Sequence, residues 1–196
     1  MFEPDRSARE LSRRERQILV LLCDGATTAQ IAFAFGLAPA TVEKQILSAR
    51  RKLRVANRVE LVAYAFRHEV LPIAGKSRPG VVEIVEDDRG ETTDFRFRYV
   101  SGDGYRDVPV TNHLALNRAA SDWAGPSWNE DLEPLLRALG ETREGPEWVP
   151  FENATTVLAE TGDAYEWSGS VSEVNKGRFL VVVDTPLPIS SRGGLQ

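Results

Sequence analysis

The chain has 196 residues with 24 Lys and Arg against 29 Asp and Glu, a formal net charge of −5, and this length holds one medium domain or two small ones. Residues 1–75 carry 12 basic and 8 acidic side chains, a net of +4, whereas residues 76–196 carry 12 and 21, a net of −9, so a basic module is joined to an acidic one. The single cysteine, Cys23, excludes an internal disulfide; no apolar run reaches the ~18 to 20 residues that cross a bilayer, and the N-terminal Met-Phe-Glu-Pro-Asp-Arg is too charged for a secretory signal. The expectation is a soluble, cytoplasmic protein with no membrane partner.

Ser12-x-x-Glu15 reads as a capping box, followed by the apolar face Ile18, Leu19, Leu21 and Leu22 and by a stop at Gly25. Thr27-x-x-Gln30 opens a second helix with Ile31, Ala32 and Phe35 inward, ending at Gly36. Pro39 suits the first position of a third helix, because the N–H it lacks would have no helical partner there. From Pro39 to Arg54 the apolar Val42, Ile46, Ala49 and Leu53 repeat every three or four residues. This spacing leaves Thr41, Lys44, Gln45, Ser48, Arg51 and Lys52 outward. Asn57-x-x-Glu60 caps a fourth helix with Leu61, Val62, Ala65 and Phe66. Cys23, in an apolar helical run, reads as a buried small side chain rather than a reactive thiol.

Residues 10–71 resemble the LuxR/FixJ-type helix-turn-helix of bacterial transcription regulators. The match runs through Leu11-Ser12-x-Arg14-Glu15, Ile18-Leu19, Gly25, Ile31-Ala32, Thr41-Val42, Lys52-Leu53, Asn57-Arg58 and Leu61-Val62-x-Tyr64-Ala65. The resemblance implies that the third helix enters the major groove of double-stranded DNA. Val42, Glu43, Lys44 and Leu47 would then read base edges, and Thr28, Thr41, Arg51 and Lys52 would hold phosphates. It also implies a homodimer, with helix four (Val59, Val62, Ala63, Phe66) as one candidate seam. Three positions depart from the family pattern. Gln45 replaces the usual histidine, which implies a shifted phosphate or base contact. Ala38 replaces a capping serine or threonine, weakening the cap by about 1 kcal/mol. Arg54 replaces glycine, which implies a less sharp helix end. Ser48-Ala49-Arg50-Arg51-x-Leu53-Arg54 also resembles region four of sigma factors, but residues 57–71 favour the first family.

Lys76-Ser77-Arg78-Pro79-Gly80 reads as a linker. Beyond it, Val81-Val82-x-Ile84-Val85 and the alternating Phe95-x-Phe97-x-Tyr99 read as strands, with Asp87-Asp88-Arg89-Gly90 as the turn between them. Residues 112–124 and about 131–139 read as short helices, Pro134 falling in the first turn of the second. Three strands follow near 155–160, 164–171 and 178–184, the last apolar throughout and therefore central. Residues 187–196 read as a flexible tail. The acidic pair Asp87 and Asp88 imitates a phosphate-accepting receiver domain, but a strand follows where a receiver needs a helix. With no cysteine and only His113, this half cannot build a Cys/His pair or a multi-histidine metal site, and Asp103 and Asp107 around Gly104-Tyr105 read as a turn. Trp123, Trp128, Trp148 and Trp167 all lie in this half, most of them read as core.

The fold expected is therefore two-domain: an all-α four-helix helix-turn-helix module at 1–75, a linker at 76–80 and a small α+β domain at 81–186. The latter would be sensory, oligomerising or partner-binding, taking a small molecule or a protein. The function expected is sequence-specific DNA-binding transcription regulation, without enzyme activity, cofactor or metal. The alternative is a protein–protein adaptor or anti-regulator that uses the acidic half, or a sigma-like promoter-binding protein.

Overall fold

The structure, a computed structural model, describes residues 11–68, 70–71, 78–89, 92–101, 122, 130, 132–142, 147–157, 164–184 and 187–188. The chain divides into two compact units, Met1–Gly75 and Lys76–Gln196.

In the first unit, α1 (Arg13–Cys23), α2 (Thr28–Phe35), α3 (Pro39–Lys52) and α4 (Arg58–Arg67) follow one another. Both capping boxes form. The Ser12 N–H donates to Glu15 Oε2 at 2.7 Å while the Glu15 N–H donates to Ser12 Oγ at 3.2 Å. Thr27 and Gln30 make the same reciprocal pair at 2.8 and 3.2 Å. At α4 the arrangement is offset: Asn57 Oδ1 accepts from the Glu60 N–H, but Glu60 Oε2 reaches back to the Ala56 N–H at 2.8 Å. Gly25 and Gly36 follow α1 and α2 in the left-handed conformation, φ 86° and 65°, where a side chain would be strained. The inward stripes meet in one core: Ile18, Leu19, Leu21, Ile31, Phe35, Val42 and Leu61 are essentially inaccessible to solvent. Each such side chain stabilises the unit by about 1.5 to 3 kcal/mol.

The second unit contains β1 (Arg78–Glu86), β2 (Thr92–Val100), α5 (Glu133–Glu141), β3 (Val149–Val157), β4 (Ala164–Asn175), β5 (Arg178–Val183) and β6 (Leu187–Pro188). The sheet is antiparallel in the order β2-β1-β5-β4-β3, with β6 added on β4. The apolar run 179–183 lies inside it, paired on both sides. Phe179, Val181 and Val183 share a core with Leu132, Leu135 and Leu139 of the α5 region, while Leu180 and Val182, on the other face, are buried as well. Strands β4 and β5 approach so closely at Gly169 that a Cβ there would stand 2.2 Å from the Val182 carbonyl oxygen.

The structure corrects three sequence expectations here. Residues 78–80 are not linker but the start of β1, opposite Val183, Val182 and Val181. Pro79 is tolerated because its carbonyl accepts from the Ser101 N–H, just past the end of β2, so its missing donor faces the edge of that pairing. Leu187 and Pro188, read as tail, pair with β4. Phe95, Phe97 and Tyr99 do not share one face. A register shift places Val82 opposite Phe97 and Val81 opposite Tyr99, sending Tyr99 to the far side while the Phe95 and Phe97 rings pack edge to face. Asp87 is a turn residue whose Oδ1 accepts the Arg89 N–H, and β1 passes directly into an antiparallel β2. Trp167 packs against the core and Trp148 is half-buried. The helix expected at 112–124, apart from Asp122, lies outside the described residues, as do Asp103, Asp107, His113, Trp123, Trp128 and the tail from 189. Among the described residues, no helix is long and apolar enough to cross a membrane.

On the face opposite that core, Glu83 is gripped by Arg98 and Arg178, its Oε1 2.7 Å from Arg178 Nη2 and its Oε2 2.8 Å from Arg98 Nε. Partial burial raises the Glu83 pKa, but the two guanidinium groups outweigh it and hold the carboxyl below its usual range.

Candidate nucleic-acid interface

Helix α3 presents two chemically distinct sides. Val42, Ile46 and Ala49, followed by Leu53 just past the helix, are buried. Directly opposite, Ala40, Lys44, Leu47 and Arg51 are exposed at spacings of four, three and four, which aligns them in one stripe. Leu47 is an exposed apolar side chain at 41% accessibility. Lys44 and Arg51 have no ion pair or side-chain hydrogen bond among the described residues. Thr41 and Glu43 are also exposed, and Gln45 is half-buried.

Four of the residues expected to touch DNA are engaged inside the unit instead. Val42 is completely buried, so its side chain belongs to the core and faces away from any groove. Lys52 Nζ stands 2.8 Å from Glu15 Oε2 of the α1 capping box. Burial of Glu15 raises its pKa, but hydrogen bonds from Lys52, Ser48 and the Ser12 N–H, with the Lys52 charge, outweigh it and keep the carboxyl ionised below its usual range. Ser48 and Lys52, which periodicity places outward, therefore form a flank of α3 turned to α1, and Lys52 is a structural cation. Thr28 donates its hydroxyl to Glu43 Oε1 at 2.6 Å. A hydroxyl has one proton, so Thr28 cannot also donate to a phosphate in this arrangement, and the pair braces α2 against α3.

Arg58, which sequence reasoning left without a role, adds a second brace, with Nη2 donating to the Ala26 carbonyl at 2.5 Å and Nη1 to Thr28 Oγ1 at 3.4 Å. Its partners lie about thirty positions away, beyond any local pattern. Burial and the nearby Asp24 push the Cys23 thiol up to about 12, so it stays protonated and unreactive near neutrality.

The two ends of α3 are unequal. Ala38 gives no side-chain cap, and Pro39 takes the first turn. Contrary to the less sharp end implied by the missing glycine, the C-terminus closes fully. The Val55 N–H reaches the Arg50 carbonyl at 3.0 Å and the Arg54 N–H the Arg51 carbonyl at 3.3 Å, with Arg54 left-handed at φ 56°. A residue bearing a Cβ adopts that conformation at a cost of about 1 to 2 kcal/mol. On α4, Val59 and Phe66 are 78% and 60% exposed, and Val62 and Ala63 are half-buried.

Four short helices, three of them capped by a side chain, with α3 packed by one face and exposed along the other, define a helix-turn-helix domain. Residues 9–65 match the family model described as bacterial regulatory proteins, luxR family, so this segment is a LuxR-type helix-turn-helix. Comparison with curated proteins finds no match.

Proposed function

We propose that the chain is a DNA-binding transcription regulator that lays α3 in the major groove of double-stranded DNA. The observation that carries this reading is the stripe Lys44, Leu47 and Arg51, exposed, opposite the core and, among the described residues, without side-chain partners for its two cations, on a segment that matches a regulatory family. Lys44 and Leu47, with Gln45 beside them, meet base edges; Arg51 and Thr41 meet phosphates, while Glu43 stays paired with Thr28. Val42, Lys52 and Thr28 support these positions from within.

Arg51 and its neighbour Lys52 separate the two roles. Arg51→Ala should weaken binding to all DNA sequences alike and reduce the salt slope of the association constant by about one. Lys52→Ala should instead lower the melting temperature and leave the slope nearly unchanged. Titration of both variants at several salt concentrations checks this, and an unchanged slope for Arg51→Ala would remove α3 from the groove.

Pairing of two copies through α4 accompanies this reading, since one module buries little surface and dimers read half-sites about 34 Å apart. Val59 and Phe66 each represent about 1.5 to 3 kcal/mol if covered. The double variant Val59→Glu with Phe66→Glu should therefore sediment as a monomer at concentrations where the unmodified chain is a dimer. A dimer that survives both changes would move the seam elsewhere. The strand-rich unit, with its acidic half of the chain, then modulates the DNA-binding unit as a sensory, oligomerising or partner-binding element.

A further inference from the structure

Helices α1, α2 and α3 end in the same backbone figure, in which an N–H beyond the helix reaches back five residues: Ala26 to Leu21 at 3.0 Å, Leu37 to Ala32 at 2.8 Å and Val55 to Arg50 at 3.0 Å. The residue that turns the chain is left-handed each time. It is Gly25 at φ 86°, Gly36 at φ 65° and Arg54 at φ 56°. Glycine suits the first two because it has no Cβ to clash; arginine does not suit the third.

Among the described residues, nothing within the unit accounts for an arginine there. Arg54 is exposed, and its side chain has no hydrogen bond or ion pair among the described residues. It also stands three positions beyond Arg51, just past the C-terminal end of α3. A cation kept at a strained, solvent-facing position next to another cation serves an anion outside the protein. The helix dipole gives no separate reason, because Arg50, Arg51 and Lys52 already fill the last turn.

We propose that Arg54 is a DNA phosphate-contact residue, clamping the backbone beside the phosphate held by Arg51, where α3 leaves the groove. This rests on the groove-docking reading of α3 and extends it to a position that the helix-turn-helix pattern usually reserves for a conformational glycine. The contact is independent of base sequence, because it is made past the groove-facing turns of the helix.

The test compares Arg54→Gly, Arg54→Lys and Arg51→Ala in the full chain, measuring thermal stability and DNA affinity as a function of salt on a specific and a random duplex. Arg54→Gly should raise the melting temperature by about 2 to 5 °C, as relief of a left-handed side chain predicts. It should also lower affinity for both duplexes by about three- to tenfold and reduce the salt slope by about one. Arg54→Lys keeps the charge and should retain most of the affinity. Arg54→Gly with unchanged affinity and slope, while Arg51→Ala binds weakly, would overturn the role of Arg54 alone. Loss confined to the specific duplex would overturn the phosphate contact in favour of a base contact. If neither Arg51→Ala nor Arg54→Gly affects binding, the docking reading fails together with this one.

Discussion

Replacing Glu15 with alanine is expected to lower the stability of the helical unit by about 2 to 4 kcal/mol, because one carboxylate closes the α1 capping box and anchors Lys52 of α3. Glu15→Gln separates these roles, since glutamine can complete a capping box but carries no charge to form an ion pair with the Lys52 ammonium. The pH dependence has a definite sign. The folded unit holds the Glu15 carboxyl below its ordinary 4.5, so the unfolded chain binds more protons in that region and stability falls as the pH drops through and below that value. Glu15→Gln should flatten this acid limb in the helical signal. All four tryptophans lie between 123 and 167, so tryptophan fluorescence reports the second unit alone, while the helical circular dichroism comes, among the described residues, mainly from α1 to α4. A Glu15→Ala chain that melts at the unmodified temperature would show that the Glu15–Lys52 contact does not hold α1 to α3.

Lys44→Ala is expected to cost about 1 to 3 kcal/mol on the preferred DNA site and to relax the preference at one base position, the magnitude of a lost base-edge contact. Its position carries this prediction. Lys44 stands one turn into α3, in the exposed stripe and opposite Val42 and Ile46, so its ammonium projects away from the core with no competing partner among the described residues. Binding of the variant to a library of sites distinguishes this from a phosphate contact: a uniform loss over every sequence would place Lys44 on the backbone. Together with Arg51→Ala, the measurement also reports the direction of α3 in the groove, since specificity should be lost from its N-terminal half and salt dependence from its C-terminal half.

The elements of the first unit were legible because their signals are local. Ser12 with Glu15 and Thr27 with Gln30 are three residues apart and satisfy one another whatever surrounds them. Gly25 and Gly36 mark turns that other residues enter only with strain. The inward positions of α3 followed from a period near 3.6, and the apolar run of β5 from burial on both of its faces. The resemblance contributed the expectation of a LuxR-type helix-turn-helix module, and the family match over residues 9–65 agrees with the location of that module.

Side-chain partnerships across the chain were decided by tertiary structure alone. Lys52 looked like a free cation because periodicity places it on the polar side of a helix, yet its partner lies 37 positions away in another helix. Thr28 and Glu43, 15 apart, both carry DNA roles by resemblance and instead meet each other. Val42 carried two incompatible expectations, core by period and reader by resemblance, and packing settled it for the core. In the sheet, the alternation of Phe95, Phe97 and Tyr99 holds only while the pairing register holds, and one irregular residue turns Tyr99 to the other face. In the helical unit the sequence by itself determined where chain segments become helices and where they stop, since those choices depend on neighbours within about one turn, whereas the strand limits at 78–80 and 187–188 were set by pairing with distant segments. Which charges remain available to a partner, and which face each aromatic ring occupies, depended on contacts between segments that only the folded chain brings together.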